Sequence, residues 1–365
     1  MIVAAAHLVS AAQPPSSHAK DLYDRARELQ RRGNEAGALS LLWEAAGLAP
    51  KDGDIQSDLG RALERIGALD AAVDAYRAAA DAPTPPPSAV RNLVLALVKA
   101  GRSPEAIARA TASVEQAPAD ADRWFTVGLA KADVDVDGAI DSFHRALGLN
   151  PRHGLAQYNL ALVLDRADRV EAAVDALHAA AAIQARPEIS YTLGSIYWHQ
   201  GDLDRAVRAL TDATTARPDD ADALLLLGTV LNARGNLKGA MSSLERAIRL
   251  RPDLPAPHIV LAQTLTNAGD EKGAERESAE AERLRDLSEN SRKAAALTAA
   301  GVQQLGAGDT TAAADCFRRA IGAFEPFAPA HYQLGRALDT LGRHDEARKE
   351  FARAQQLNPA LVPPR

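Results

Sequence analysis

The feature that most constrains this chain is a spacing. A small residue, a second small residue seven positions later and, in most cases, a proline five positions after that recur ten times, with a period close to 34 residues. A glycine usually stands five positions ahead of the first small residue. Gly33, Ala38, Ala45 and Pro50 set the pattern; Gly201, Ala206, Ala213 and Pro218 repeat it, and Gly235, Ala240, Ala247 and Pro252 follow 34 residues on. A unit of this kind reads helix, glycine-led turn, helix, proline stop, because glycine suits the left-handed end of a helix and proline cannot continue one. Two antiparallel helices approach closely only where side chains are small. Gly60, Gly128, Gly194, Gly228 and Gly335 in the first helices are therefore expected to face Ala72, Ala139, Ala206, Ala240 and Ala347 in the second. Leu59, Leu63, Leu193, Leu227, Leu231, Leu334 and Leu338 recur at helical spacing and are expected to fill the seam.

Period and small-residue signature together resemble the tetratricopeptide repeat (TPR) family. The resemblance implies an all-α fold, a right-handed TPR superhelix of stacked helix-turn-helix units. The units are expected at 19–52, 53–86, 87–120, 121–153, 154–186, 187–220, 221–254, 255–288, 294–327 and 328–361, with a short tail at 362–365. Three departures stand out: Asp286 where a proline is expected, Ser113 at a small-residue position, and Asp168 in place of a turn glycine. Residues 289–293 are an insertion, expected to lengthen the charged helix before them and to introduce a slight bend. A stacked array is quasi-one-dimensional, so 365 residues are read as one elongated domain.

Residues 1–18 lie outside the repeat. Ile2, Val3, Leu8 and Val9 form an apolar run ending in Ser10, Ala11 and Ala12, with a Pro14, Pro15, Ser16, Ser17 spacer. This fits a secretory signal lacking its positive start, and also a cytoplasmic tail; export is preferred, and the run is too short to span a bilayer. The net charge of -6 gives no global sign of nucleic-acid binding. Cys316 has no partner for an internal disulfide and is read as a buried small hydrophobe. The alanine- and arginine-rich composition points to a bacterial source of high genomic G+C.

No motif for a zincin, a P-loop, a nucleophile elbow or a paired Cys-x-x-Cys is present, and the chain is read as non-enzymatic and without a cofactor. Asp133, Asp135, Asp137 and Gly138 copy the start of an EF-hand loop, but His144 stands where the bidentate glutamate belongs. The three aspartates are a weak metal candidate. The competing reading makes them solvated turn and helix-start residues.

In TPR proteins the first helices line a groove that holds a partner segment, and the resemblance carries particular unit positions onto this chain. In the first three units these include Lys20, Arg27, Arg61, Arg65, Arg91 and Lys99, a basic end with Asp54 and Glu64 as exceptions. It is either a solvated face or an attractant for an acidic segment. In units four to eight they include Phe125, Tyr158, Tyr191, Trp198, Leu225, Asn232, Ile259 and Gln263, an apolar and aromatic stretch. Exposed Trp and Tyr in a groove are typical binding anchors. Trp124 and Trp43 are assigned to packing. The lysine and asparagine pair of a chaperone-tail clamp is absent, and Asn92 and Asn159 alone do not make the asparagine ladder of a glycosyltransferase array. The expected function is a non-catalytic scaffold binding a protein or peptide in its groove. A recruiting subunit of a separately encoded enzyme or envelope assembly, and a self-associating structural protein, are the alternatives.

Overall fold

The computed structural model describes residues 17–362, and every regular element among them is a helix. The first seven pairs are α1 (Ser17–Arg31) with α2 (Glu35–Leu48), α3 (Gly53–Arg65) with α4 (Leu69–Ala80), α5 (Ala89–Lys99) with α6 (Ser103–Gln116), α7 (Ala121–Lys131) with α8 (Val136–Leu149), α9 (Gly154–Arg166) with α10 (Val170–Ile183), α11 (Pro187–His199) with α12 (Leu203–Ala216), and α13 (Ala221–Ala233) with α14 (Leu237–Leu250). They are followed by α15 (Pro255–Ala268), a single long α16 (Glu271–Gly306), α17 (Thr310–Ala323), α18 (Ala328–Thr340) and α19 (His344–Leu357). The apolar run at the amino terminus falls outside the described residues; of the segment before the first expected unit, Ser17 and His18 are described and begin α1. No helix among the described residues is long and apolar enough to cross a membrane.

Local chemistry fixes the helix starts. Asp52, Asp120 and Asp220 accept the backbone N–H of Ile55, Arg123 and Ala223 at the head of α3, α7 and α13. Asn34, Asp202, Asn236, Asp270 and Asp309 do the same for second helices and for α16 and α17. Each such cap is worth about 1 kcal/mol. Eight of the turns carry a glycine at positive φ, from Gly33 at +75° to Gly342 at +74°; in the α9–α10 turn Asp168 holds the same conformation at +58°.

At the helical glycines the nearest group is a large side chain, although at Gly228 the expected Ala240 is also close, its carbonyl 3.3 Å from where a Cβ would stand. A Cβ on Gly60 would lie 2.7 Å from the Tyr76 ring, one on Gly228 2.6 Å from Leu244, one on Gly335 2.8 Å from Phe351, and one on Gly301, unremarked in sequence, 2.5 Å from Phe317. The large side chain four residues beyond each conserved-spacing alanine reaches across the seam and occupies the space a Cβ would need. Tyr76, Phe143, Phe317 and Leu244 are accordingly among the largest fully buried side chains.

The chain divides into two compact units, Met1–Ile196 and Tyr197–Arg365, the division falling inside α11. In the first, one buried cluster runs continuously from Ala19 to Ala130. There the first helices α3, α5 and α7 lie side by side and share a face, each also packed on the second helix before it.

The second unit contains the one break in this pattern. Asp286 occupies the place that Pro252 takes after α14, so nothing halts the helix. The insertion 289–293 is absorbed, and the second helix of the eighth repeat runs on into the first helix of the ninth. The 36 residues of α16 correspond to about 54 Å at the standard rise. The packing stripes record the change. On α14, Leu237, Met241, Leu244 and Ile248 are buried or half-buried beside α15; 34 residues later, on α16, stand Glu271, Glu275, Ser278 and Glu282, all exposed. On α15, Pro257, Leu261 and Thr264 are buried; the equivalent residues of the ninth repeat, Ala296, Ala300 and Gln303, are exposed or half-buried. Beyond the break, Ala313, Phe317, Leu334, Leu338 and Phe351 form a small separate core.

Candidate functional site

The residues carried over from the family positions stand on the first helices, and their surroundings differ along the chain. At the amino-terminal end they belong to a mixed-charge network rather than a bare basic surface. Tyr23 donates its hydroxyl to Asp58 at 2.9 Å, and Arg61 pairs with the same carboxylate, which is only 7% exposed. Arg65 pairs with Glu35 at 2.6 Å, Lys99 with Glu64, and Arg91 approaches Asp122 at 3.9 Å. Tyr76 also donates to Glu64, at 3.0 Å. Arg27 lies 5.7 Å from the Tyr23 ring centroid, in a hollow shared with Arg31, Arg61 and Arg65. Lys20 is exposed at the start of α1.

These contacts set the ionisation of the network. Burial pushes the Tyr23 and Tyr76 hydroxyls well above their ordinary value, and the adjacent carboxylates Asp58 and Glu64 push them further. Burial draws the Glu64 carboxyl upward too, but hydrogen bonds from Lys99 and Tyr76 outweigh it and hold the group below its ordinary value.

The apolar stretch divides. Phe125 is 3% exposed: its ring lies 5.9 Å from Phe143 and 4.8 Å from His153, so it belongs to the core and not to the groove. Its position in the unit is right, but a ring next to Phe143 and His153 gains more by burial than by facing water. Tyr158 and Tyr191 are half-buried, and the Tyr158 hydroxyl is 3.4 Å from Thr192. Leu155 on the same helix as Tyr158 is 42% exposed. Leu155, Tyr158 and Ile183 make the apolar wall of an open cleft of about 320 Å³, with Arg152 and Arg186 at its edge. In the second unit Trp198, Leu225 and Asn232 are half-buried, Asn232 accepting from Asn267 at 3.0 Å, whereas Ile259 and Gln263 are exposed.

Two further assignments change, those of Trp43 and Cys316. Trp43 does not pack; it is 52% exposed on α2. Trp124, half-buried, packs against the first unit's core as expected; its indole N–H donates to the Pro118 carbonyl at 2.8 Å, and the Arg145 guanidinium lies 4.5 Å from the ring centroid. Cys316 is half-buried beside the fully buried Phe317. The aspartates at the α7–α8 turn have separate partners. Asp133 pairs with Arg166 at 2.6 Å and Asp137 with Arg169 at 2.9 Å, while Asp135 pairs with Lys131 and caps α8 through the Gly138 N–H. Hydrogen bonds from Lys131 and Gly138 hold the Asp135 carboxyl below its ordinary value. Among the described residues no group of three or more His, Cys, Asp or Glu is arranged to hold a metal ion.

Helix pairs with a 34-residue period, packed through a glycine or alanine against a large side chain, define an α-solenoid of stacked hairpins. The tetratricopeptide repeat model matches residues 23–86, 134–188, 191–255 and 298–361, and the chain belongs to this family. No curated protein matches it. Among solved structures it is similar to YrrB, a TPR protein with an unusual peptide-binding site, at 19% identity and a TM-score of 0.44 over 48% of this chain and 91% of that one. It is also similar to MamA, at 22% identity and a TM-score of 0.42 over 44% and 95%. The human IFIT1 dimer with m7Gppp-AAAA matches at 16% identity and a TM-score of 0.43 over 93% and 90%.

Proposed function

We propose that the protein is a non-catalytic scaffold whose amino-terminal unit captures a segment of a partner protein along its first helices. TPR repeats are interaction modules, and the observation that carries the reading here is the cleft at α9. Leu155 and Tyr158 line it beside Arg152, so one concavity offers an anchor pocket for an apolar side chain and a cation for a neighbouring acidic group, while Arg186, 3.5 Å from Glu188, and Asp122 complete its lining. Tyr191 extends this face along α11, and Trp198, Leu225 and Asn232 offer similar surface in the second unit. Arg27 and Lys20 add attraction for acid at the amino-terminal end; Arg61, Arg65 and Lys99, already paired with carboxylates, add little.

The test is capture from a lysate of the source organism by the wild-type chain and by the Leu155→Ala/Tyr158→Ala/Tyr191→Ala variant, with equal helicity verified by circular dichroism. Proteins enriched by the wild type and lost by the variant are the expected result. Identical sets from the two baits would remove this face from consideration.

A further inference from the structure

In the second unit, α15 and the first half of α16 bound a second open cleft, made of two adjoining hollows of about 540 and 510 Å³ that share Thr266, Ser278 and Glu282. Its α15 wall presents Ile259, 41% exposed, with Gln263 and Thr266. Its α16 wall presents Glu271, Glu275 and Glu282, with Arg285 at the far end, three residues beyond Glu282. The cleft exists because the stack is interrupted. One repeat earlier, the corresponding place beside α13 and α14 is filled by α15 itself, which packs on both. Beside α15 and α16 no first helix follows, because the residues that would form it continue α16 instead.

Three carboxylates against the one guanidinium of Arg285 leave that wall with an excess of negative charge. Other acids of the same stretch are engaged: Glu277 bonds to His258 at 2.7 Å and Glu280 to Arg283 at 2.6 Å. Glu271, Glu275 and Glu282 stand within ion-pair distance of no cation among the described residues. Glu271 and Glu275 are one helical turn apart on one face, a like-charge arrangement that costs stability until a cation arrives. The residues they replace, Leu237, Met241 and Ile248 of the preceding repeat, mark the stripe as a helix-contacting one.

We propose that this cleft docks a cationic amphipathic helix of a partner protein. The incoming helix takes the place of the absent first helix, sets lysine or arginine against Glu271, Glu275 and Glu282, and lays an apolar side chain on Ile259. The proposal rests on the reading of the chain as a protein-binding scaffold, but it uses residues that the α9 cleft does not.

The test uses the full chain and a synthetic amphipathic peptide with lysines on one helical face and leucines on the other. An isomer of the same composition, with its lysines spread around the helix, is the comparison. Fluorescence anisotropy is expected to show the facial peptide binding at least about tenfold more tightly than its isomer, with an affinity that falls as salt rises. E271Q/E275Q/E282Q is expected to weaken binding about tenfold or more. D212N/D219N/E245Q, which removes the same charge from exposed positions elsewhere in the unit, is expected to leave it within about twofold. Ile259→Ala should weaken the facial peptide alone. Equal binding of the two isomers, or equal losses in the two triple variants, would reduce the effect to general electrostatics and overturn the proposal. A concentration-dependent dimer in sedimentation that E271Q/E275Q/E282Q abolishes would give the cleft to a second copy of this chain, and would overturn it as well. Because Leu155, Tyr158 and Tyr191 are untouched in every variant, failure here is distinguishable from failure of the capture experiment.

Discussion

Two successive junctions in the second unit begin from nearly the same sequence pattern and end differently. After α14, Pro252 stops the helix, the chain turns, and α15 folds back to lie beside α13 and on α14. After the equivalent point in α16, Asp286 stands in place of the proline, and the helix runs on for twenty more residues to Gly306. Each junction carries side chains that agree with its course. The closed one has Leu237, Met241, Leu244 and Ile248 against α15; the open one has Glu271, Glu275, Ser278 and Glu282 against water. A repeat array is thus ended internally by the same means that cap its termini, polar side chains on a stripe that is otherwise apolar.

The largest effect is expected from a proline at the open junction. If α16 is continuous, Asp286→Pro removes a backbone hydrogen bond and clashes with the preceding turn, at a cost of about 3 kcal/mol in chemical denaturation. A negligible change would mean that the helix already stops there, as it does at Pro252.

Reciprocal exchange of the two stripes comes next. Met241→Glu places a carboxylate against α15 and is expected to cost about 2 to 3 kcal/mol, whereas Glu275→Met at the open junction should stay within about 0.5 kcal/mol. Equal costs at the two positions would erase the difference between the junctions.

Smaller again is the change at Asp168, the non-glycine residue that holds the left-handed conformation in the α9–α10 turn. Asp168→Gly is expected to stabilise the first unit by about 1 kcal/mol, seen as a higher denaturation midpoint. Destabilisation would mean that the aspartate side chain contributes more to the turn than its backbone strain costs.

The smallest effects belong to the ionisable network at the amino-terminal end, and their signs follow from the direction of each shift. The Tyr76 hydroxyl is raised in the folded chain, so the folded state favours its neutral form. The contribution is complete below the unfolded value of 10.0 and is lost as pH climbs above it. The Glu64 carboxyl is lowered, so its contribution is complete above the unfolded value of 4.5 and fades as pH falls below it. Tyr76→Phe should therefore flatten the alkaline limb of the stability profile, and Glu64→Gln the acid limb. Unchanged limbs would show that the two groups titrate alike in the folded and unfolded chain.

Much of the fold is legible in the sequence because the period is short and the turn chemistry is repeated. Gly33, Gly201 and Gly235 mark turns. The seam is less legible, because the side chain that needs the space beside these glycines is the larger Tyr76, Leu244, Phe317 or Phe351, one turn beyond the small residue of the repeat. The same holds for the groove, since a position in the unit says where a side chain starts and not what it finds. Phe125 finds Phe143 and His153 and is buried. The basic end is a similar case. Arg65 and Lys99 are counted as free cations until Glu35, 30 residues earlier, and Glu64, 35 residues earlier, are brought beside them by the stacking. The break at α16 is partly legible: the proline is missing, residues 289–293 are inserted, and a 34-residue offset sets Glu271, Glu275 and Glu282 against Leu237, Met241 and Ile248.

The most direct test of the open junction is a distance along α16. With Cys316 replaced by serine, spin labels at cysteines substituted for Arg276 and Ala299, both exposed, would lie about 35 Å apart if the helix is continuous at 1.5 Å per residue. A single narrow population near that distance is the expected result. A population shorter than about 20 Å, as for helices folded side by side, would show that the eighth and ninth repeats stack like the others, and would close both the break and the acidic cleft beside it.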